Sequence, residues 1–422
     1  MTVFKKKTEL AKGVFWPSYL IGIAVIVLGI ANQKLFGSIL DAGLNWVSDN
    51  FGWWLVLFAL ILVLLVFGLA FSKAGDVVIG GAGAKPEYTM WQWFSMSLKG
   101  GIGTGILFWA MGEPIFHMAA PPAAAGAQPF TREAGLFAIS QTMLHWTIAQ
   151  YAMYSLCAVG VALMAYNRRR TISVSSIFEP YLSSSVYGVV KTVVPMVSLF
   201  CIVGALACSM AVGLMQINSG LNFFFGLPID GVTVFAIAAI MVTVYVVSCL
   251  TGIKKGMRVL SSFCTIVFIG LMVYVLCLGP TRFIVDAGTE SLGVFFNRFF
   301  EHSVILPTMA ENETWSKSWI IMFMASFFVY APIIGLFLAR LGKGRTVREF
   351  IFMNIGAPTL FCIVWIAIWG GTTVWLQYTG IMDVWQSVNE KGLEVTIFTI
   401  LSTLPFAKIL AAFFIIAVFF SF

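Results

Sequence analysis

The sequence predicts an all-α polytopic membrane protein, and three observations carry that prediction. About 60% of the 422 residues are hydrophobic and only 10% are charged, a balance that soluble globular domains do not show. The apolar residues gather into runs of roughly 18 to 30, each long enough to cross a hydrocarbon core of ~30 Å at ~1.5 Å per residue. Lys and Arg concentrate in alternate connecting loops, the pattern expected where short basic loops stay on the cytoplasmic side.

Ten such runs follow in order. The first, Phe15 to Ala31, comes after Lys5, Lys6, Lys7 and Lys12; it lacks a small-residue cleavage site and reads as a retained span, not a signal peptide. The second, Trp53 to Ala70, returns the chain to Lys73 and Lys85. The third and fourth, Trp93 to Phe116 and Phe137 to Tyr166, lead to Arg168, Arg169, Arg170 and Lys191, and the fifth and sixth, Val193 to Asn218 and Val232 to Leu250, lead to Lys254, Lys255 and Arg258. The seventh, Leu260 to Gly279, opens a long external segment, 280–318, with Glu301, Glu311 and Glu313 beside an amphipathic stretch from Leu292 to Phe300 that suits a membrane surface. The eighth, Trp319 to Leu341, ends among Arg340, Lys343, Arg345 and Arg348; Phe350 to Gln377 and Thr396 to Phe422 complete the set. An even number of spans separates each basic cluster from the next, which supports ten spans with a cytoplasmic amino terminus; the protein is expected in the cell membrane.

The net charge of +7 lies in loops that topology already explains, so no nucleic-acid partner is inferred. The seven cysteines lie in or at the edges of apolar runs without ligand spacing and read as packed thiols. His117, His145 and His302 are scattered along the chain, and neither a metal site nor a cofactor is expected. A membrane enzyme would gather several acids or histidines at membrane level, whereas only Glu113 lies in or at the edge of a span. Before Pro114, Glu113 reads as a helix-end acid at the outer interface and not as a substrate contact. No enzymatic function is therefore expected. An osmosensor would need charged terminal tails, and the amino terminus offers only a short basic stretch.

Binding chemistry is concentrated in the third and fourth runs. The third contains Lys99-Gly100-Gly101-Ile102-Gly103-Thr104-Gly105 followed by Phe108 and Trp109, with four glycines in six residues. Such a stretch disfavours an uninterrupted helix, and broken helices at membrane depth are where secondary transporters hold ions and substrates. Close helix packing through small residues is the alternative. The fourth run holds His145-Trp146-Thr147, then Tyr151 and Tyr154. On a continuous helix Trp146, Tyr151 and Tyr154 fall within an arc of roughly 140°. A quaternary ammonium donates no hydrogen bond and is held by aromatic faces, although taken alone the rings are explained more simply by aromatic packing or interfacial anchoring.

These residues together bear a specific resemblance. Gly101-Ile102-Gly103-Thr104-Gly105 with Phe108-Trp109 and Glu113-Pro114, then His145-Trp146-Thr147, resembles the betaine/carnitine/choline transporter family. Ile177-Phe178-Glu179-Pro180, Phe337-Leu338-Ala339-Arg340, Gly344 through Glu349, and Pro358-Thr359-Leu360 leading to Gly370-Gly371 extend the likeness through most of the chain. The resemblance implies a LeuT-like inverted-repeat transporter of twelve helices, commonly a homotrimer among membrane lipids, moving small zwitterions or cations with a methylated ammonium. Mapped here, it implies an amino-terminal segment 1–92, a first repeat 93–280, an external loop 281–318 and an incomplete second repeat 319–422. It implies an aromatic box of Trp146, Tyr151, Tyr154, Phe327 and Tyr330, with Trp109 beside it and Gly101, Gly103 and Gly105 approaching the substrate's carboxylate.

Three departures modify the expectation. The eighth run offers Met324, Ser326, Phe327 and Tyr330 where the family carries tryptophans, leaving a less methylated amine or a sulfonium open as substrate. Lys99, with Ile102 nearby, stands where sodium-coupled relatives have a small residue; its ammonium would substitute for the sodium charge and favour sodium-independent exchange or proton coupling, against the alternatives of snorkelling and sodium symport. The chain stops at Ser421-Phe422 inside the tenth run, which reads as an incomplete sequence.

Overall fold

The computed structural model describes residues 11–102, 105–250, 253–308 and 314–421, and the side chains of 99–102, 247–250 and 253–261 lie outside that description. Each of the ten apolar runs falls on helix. The first two are α1 (Lys12–Ala31) and α2 (Gln33–Phe71); the third carries α3 (Met90–Ile102) and α4 (Gly105–Ala119) on either side of residues outside the description. The fourth is divided into α5 (Arg132–His145) and α6 (Ile148–Ala162), and the next three are α7 (Ser184–Phe225), α8 (Gly231–Leu250) and α9 (Ile253–Leu278). Two further helices, α10 (Thr281–Asn297) and α11 (Phe299–Ser303), precede α12 (Met322–Leu341), α13 (Val347–Ile351) and α14 (Ala357–Tyr378). The chain ends in α15 (Val384–Lys391), α16 (Thr396–Ser402) and α17 (Ala407–Ser421). π-helical turns at Lys317–Ile321 and Phe352–Gly356 lead into α12 and α14. Among the described residues six helical spans are long and apolar enough to cross a membrane, or seven counting one bent pair.

Two interruptions depart from the continuous runs the sequence suggests. The tenth run is not one helix, because Pro405 lacks an amide proton and disfavours helical geometry in the residue before it; Phe406 then takes a left-handed φ of 55° before α17 begins. The amphipathic stretch Leu292 to Phe300 is split at Arg298, and its first part belongs to the longer helix α10. That helix turns by 111° from the preceding span. Ile284, Ala287, Gly288, Ser291 and Phe295 are its buried residues, a helical stripe that packs on α5 and α14.

At the basic end of the bundle three connections are tied together. Ile79 donates its amide to the Arg345 carbonyl at 2.9 Å, Gly344 to Ile79 at 2.8 Å and Val347 to Val77 at 2.9 Å. Arg348 donates to the Ala70 carbonyl at 2.8 Å, the Asp76 carboxylate at 2.6 Å and the Ser72 carbonyl at 3.2 Å, and so satisfies carbonyls at the end of α2. Asn167, after α6, accepts from the Gly80 amide and donates to the Val78 carbonyl. Thr346 and Glu349 form a reciprocal cap that starts α13 at the same point.

In α11, His302 is 1% exposed. Burial, with the Arg298 guanidinium adding to it, pushes its pKa from 6.5 down to about 4. The folded state thus favours the neutral ring, so this stabilisation is complete above pH 6.5 and is lost as the pH falls toward 4. The melting temperature is expected to decline over that window, and less steeply in His302→Gln. Equal declines in the two proteins would show that His302 contributes nothing.

Candidate functional site

The site forms on the third and fourth runs, and the fourth is interrupted. In the third, helix is described up to Ile102 and again from Gly105; Gly103, together with the side chains of Lys99 and Ile102 and the surroundings of Gly101, lies outside the described residues. In the fourth, α5 ends at His145 and α6 begins at Ile148, with Thr147 between them at φ −125° and ψ −117°. The helix is therefore not continuous across His145-Trp146-Thr147, so periodicity alone does not place Trp146 relative to Tyr151 and Tyr154. Trp146 is placed instead by two contacts. Its Nε1 donates to Glu113 Oε2 at 2.7 Å, and its ring lies 2.7 Å from where a Cβ on Gly105 would stand. Only glycine at 105 leaves room for the indole.

Around Trp146 the rings form one cluster. Its centroid is 5.1 Å from Phe323 and 5.8 Å from Phe327, both nearly edge-to-face. Phe323 and Phe327 stack at 5.8 Å, and Tyr154 meets Phe327 at 6.4 Å. Trp109 joins through Phe323 at 5.7 Å and Trp319 at 5.9 Å. Tyr151 touches Tyr154, but its hydroxyl pairs with Cys362 Sγ on α14 at 3.2 Å. Tyr330 bonds through its hydroxyl to Ser209 and to the Ala205 carbonyl on α7. Thus Trp146, Tyr154 and Phe327 come together as expected, Trp109 borders them, and Tyr151 and Tyr330 tie the cluster to neighbouring helices. Phe323 and Trp319 escaped the sequence reading, although the spacing Trp319, Phe323, Phe327 places all three on one helical face. In an edge-to-face pair, the positive rim of one ring occupies the negative face of the other, the position a cation would take.

Beside this cluster lies a second one. Glu113 is fully buried, which overturns its reading as an interfacial helix-end acid. His117 and His145, far apart in sequence, both reach it: His117 Nε2 at 3.0 Å and His145 Nδ1 at 2.6 Å, each to Oε1. The expectation that the histidines are scattered fails because α4 and α5 pack side by side. Each outer ring nitrogen has its own partner. The Trp315 indole donates to His117 Nδ1 at 3.2 Å, and the Gln141 amide nitrogen lies 3.0 Å from His145 Nε2. Because indole only donates, the proton of His117 sits on Nε2, facing Glu113. With the Gln141 amide nitrogen donating, the proton of His145 sits on Nδ1 and also faces Glu113. The carboxylate therefore receives three N–H donors and is an anion between two neutral imidazoles. The three residues also offer donor atoms within 4.8 Å of one another, a set that could in principle hold a metal. Ligands on a tetrahedral ion bound at ~2.0–2.1 Å stand more than ~3 Å apart, so the 2.6 Å separation fits a hydrogen bond and not shared coordination.

A helical bundle that crosses a membrane, with a helix broken beside a buried aromatic cluster and a buried carboxylate, has the build of a secondary transporter. The chain belongs to the betaine/carnitine/choline transporter family, whose family model matches residues 13–422; it is a transporter and not an enzyme. It is 27% identical over 392 residues to the probable glycine betaine transporter of Desulfitobacterium hafniense (strain Y51), covering 93% of this chain and 77% of the relative. It is 27% identical over 406 residues to the ectoine/hydroxyectoine transporter of Virgibacillus pantothenticus, covering 96% and 80%. To the high-affinity choline transport protein of Escherichia coli (strain K12) it is 29% identical over 332 residues, covering 79% and 49%.

Proposed function

We propose that this protein carries a small compound bearing a methylated ammonium, such as glycine betaine or choline, across the cell membrane by alternating access. The observation that carries the reading is the contact of Trp146, Tyr154 and Phe327 around the break in the fourth run. Rings that meet edge-to-face supply attractive faces to a trimethylammonium once they separate. The names of the relatives, which include glycine betaine, ectoine and choline carriers, agree with a substrate of that kind. Residues 93–280 act as one inverted repeat and 319–422 belong to the second, after the amino-terminal segment 1–92 and with 281–318 outside. The amino terminus faces the cytoplasm, and the protein works as a homotrimer among membrane lipids. Trp109, Tyr151, Tyr330 and the glycines at 101, 103 and 105 complete the substrate site. Lys99, with Ile102 beside it, replaces the charge of a coupling sodium.

Counterflow in proteoliposomes preloaded with unlabelled substrate tests this. Labelled glycine betaine or choline is expected to accumulate equally with and without sodium. Strict dependence on sodium would remove the role given to Lys99 and return the protein to sodium symport. No accumulation of either compound would overturn the substrate assignment.

A further inference from the structure

The Glu113 cluster contains one position that can change charge without breaking a hydrogen bond. Protonating His117 would add a proton at Nδ1, where the Trp315 indole already points its N–H at 3.2 Å. Two donors would then face each other, because indole cannot accept. Protonating Glu113 would put an O–H on a carboxylate that already receives N–H groups from His117, His145 and Trp146. His145 differs. Its Nε2 faces the Gln141 side-chain amide, whose nitrogen lies 3.0 Å away and whose Oε1 is buried without a partner. A half-turn of that amide exchanges donor for acceptor, so the same contact serves a neutral ring and an imidazolium. The unpartnered Oε1 is the acceptor held in reserve.

This charge matters to the aromatic cluster because the two share Trp146. Its indole N–H is held by Glu113, its ring touches Phe323 and Phe327, and the His145 ring lies 4.8 Å from Phe323. With His145 neutral, the cluster of Glu113, His117 and His145 carries one negative charge behind the indole. With His145 protonated it carries none. In a buried, weakly screened site an anion behind the ring strengthens the hold on a cation in front of it, and cancelling it weakens that hold.

We propose that His145 Nε2 is a proton-binding site at which the proton and the substrate's ammonium exclude one another, with the Gln141 amide turning to accept the incoming proton. The step moves one proton from solvent to the Nε2 lone pair and back, and no other bond changes. It rests on the reading of the protein as a carrier of methylated ammonium compounds and makes that carrier a proton–substrate exchanger.

The surroundings of His145 hold few competing charges. On α4 the groups are Glu113 and His117; near α11 they are His302 with the Arg298–Glu301 pair. On the outer part of α5 and on α10, Arg132 pairs with Glu290, Glu133 lies beside Arg132, and Asp286 pairs with Arg282. From α6 and α14 the titratable groups are Tyr151, Tyr154, Cys157, Cys362 and Tyr378, all neutral in this range.

The chain has three histidines, so ring resonances of selectively labelled protein report each one separately. Titration from about pH 8 to about pH 5 is expected to move the resonance that His145→Gln removes, while the His117 resonance stays in place and His302→Gln leaves the titration intact. Choline binding measured by calorimetry over the same range should weaken up to about tenfold per pH unit below that midpoint. Each bound choline should then release up to one proton in weakly buffered solution. The slope against pH is the readout in His145→Gln, whose absolute affinity is free to fall. In Gln141→Met, which lacks the reserve acceptor, the midpoint is expected to move to lower pH. A resonance of His145 that never titrates, or choline binding and proton release that ignore its titration, overturns the proposal. Titration of His145 with no binding of choline or glycine betaine at any pH removes the substrate reading, and the exchange with it, leaving the protonatable ring alone.

Discussion

Replacing Trp146 with alanine is expected to weaken binding of methylated ammonium compounds by up to some thirtyfold and to destabilise the bundle together. The ring is 5% exposed and touches both Phe323 and Phe327, so truncation removes a cation-binding face worth up to about 2 kcal/mol, or some thirtyfold in affinity. It also opens a cavity, at a cost of about 3–5 kcal/mol, and strips Glu113 Oε2 of its donor. Trp146→Phe separates the effects. It keeps an aromatic face but not the N–H, so affinity is expected to recover in part while the melting temperature stays depressed. If Trp146→Ala binds glycine betaine and choline as the parent does, the cluster is packing and not a binding site.

Replacing Gly344 with valine is expected to prevent accumulation of a folded, monodisperse protein. Gly344 adopts φ +81°, and a Cβ there would lie 2.3 Å from the Lys85 carbonyl carbon and 2.4 Å from Pro86 nitrogen. The left-handed backbone alone costs an L-residue about 1–2 kcal/mol and a β-branched one more. The obstruction is backbone, which cannot rotate aside. Relieving it would separate the 342–348 connection from the 77–80 segment, breaking the backbone hydrogen bonds between Gly344, Ile79, Arg345, Val347 and Val77 and pulling Arg348 from its three acceptors. Gly293→Ala is the matched control, since no atom lies within 4 Å of the added Cβ; helix propensity there favours alanine by about 1 kcal/mol. Comparable monodispersity of the two variants by size-exclusion chromatography would show that the junction tolerates separation.

How much of this was legible in the sequence differs between fold and site. The positions of the ten apolar runs follow from composition and length alone, because a membrane span must be apolar over its whole crossing and satisfy its own backbone bonds. Pro405 signalled the break in the tenth run, although a run of uniform hydropathy masked it. The break at Trp146–Thr147 had no local signal, since no glycine or proline lies there. It is decided by the acceptor that Glu113 offers from another helix and by the space left at Gly105.

The family, the helical class and the types of side chain near the site are properties of the chain order, because repeated apolar runs, glycine clusters and aromatic spacing are local. Which rings meet, and in which protonation state the buried acid is held, are not local. Trp319, Phe323 and Phe327 share a face by periodicity, yet only packing of α12 against α6 makes that face meet Trp146 and Tyr154. Glu113, His117 and His145 looked like an end-of-helix acid and two stray rings. A buried carboxylate is tolerable only with donors on its oxygens, and those donors arrive from residues 4, 32 and 33 positions away, brought there by the tertiary structure alone.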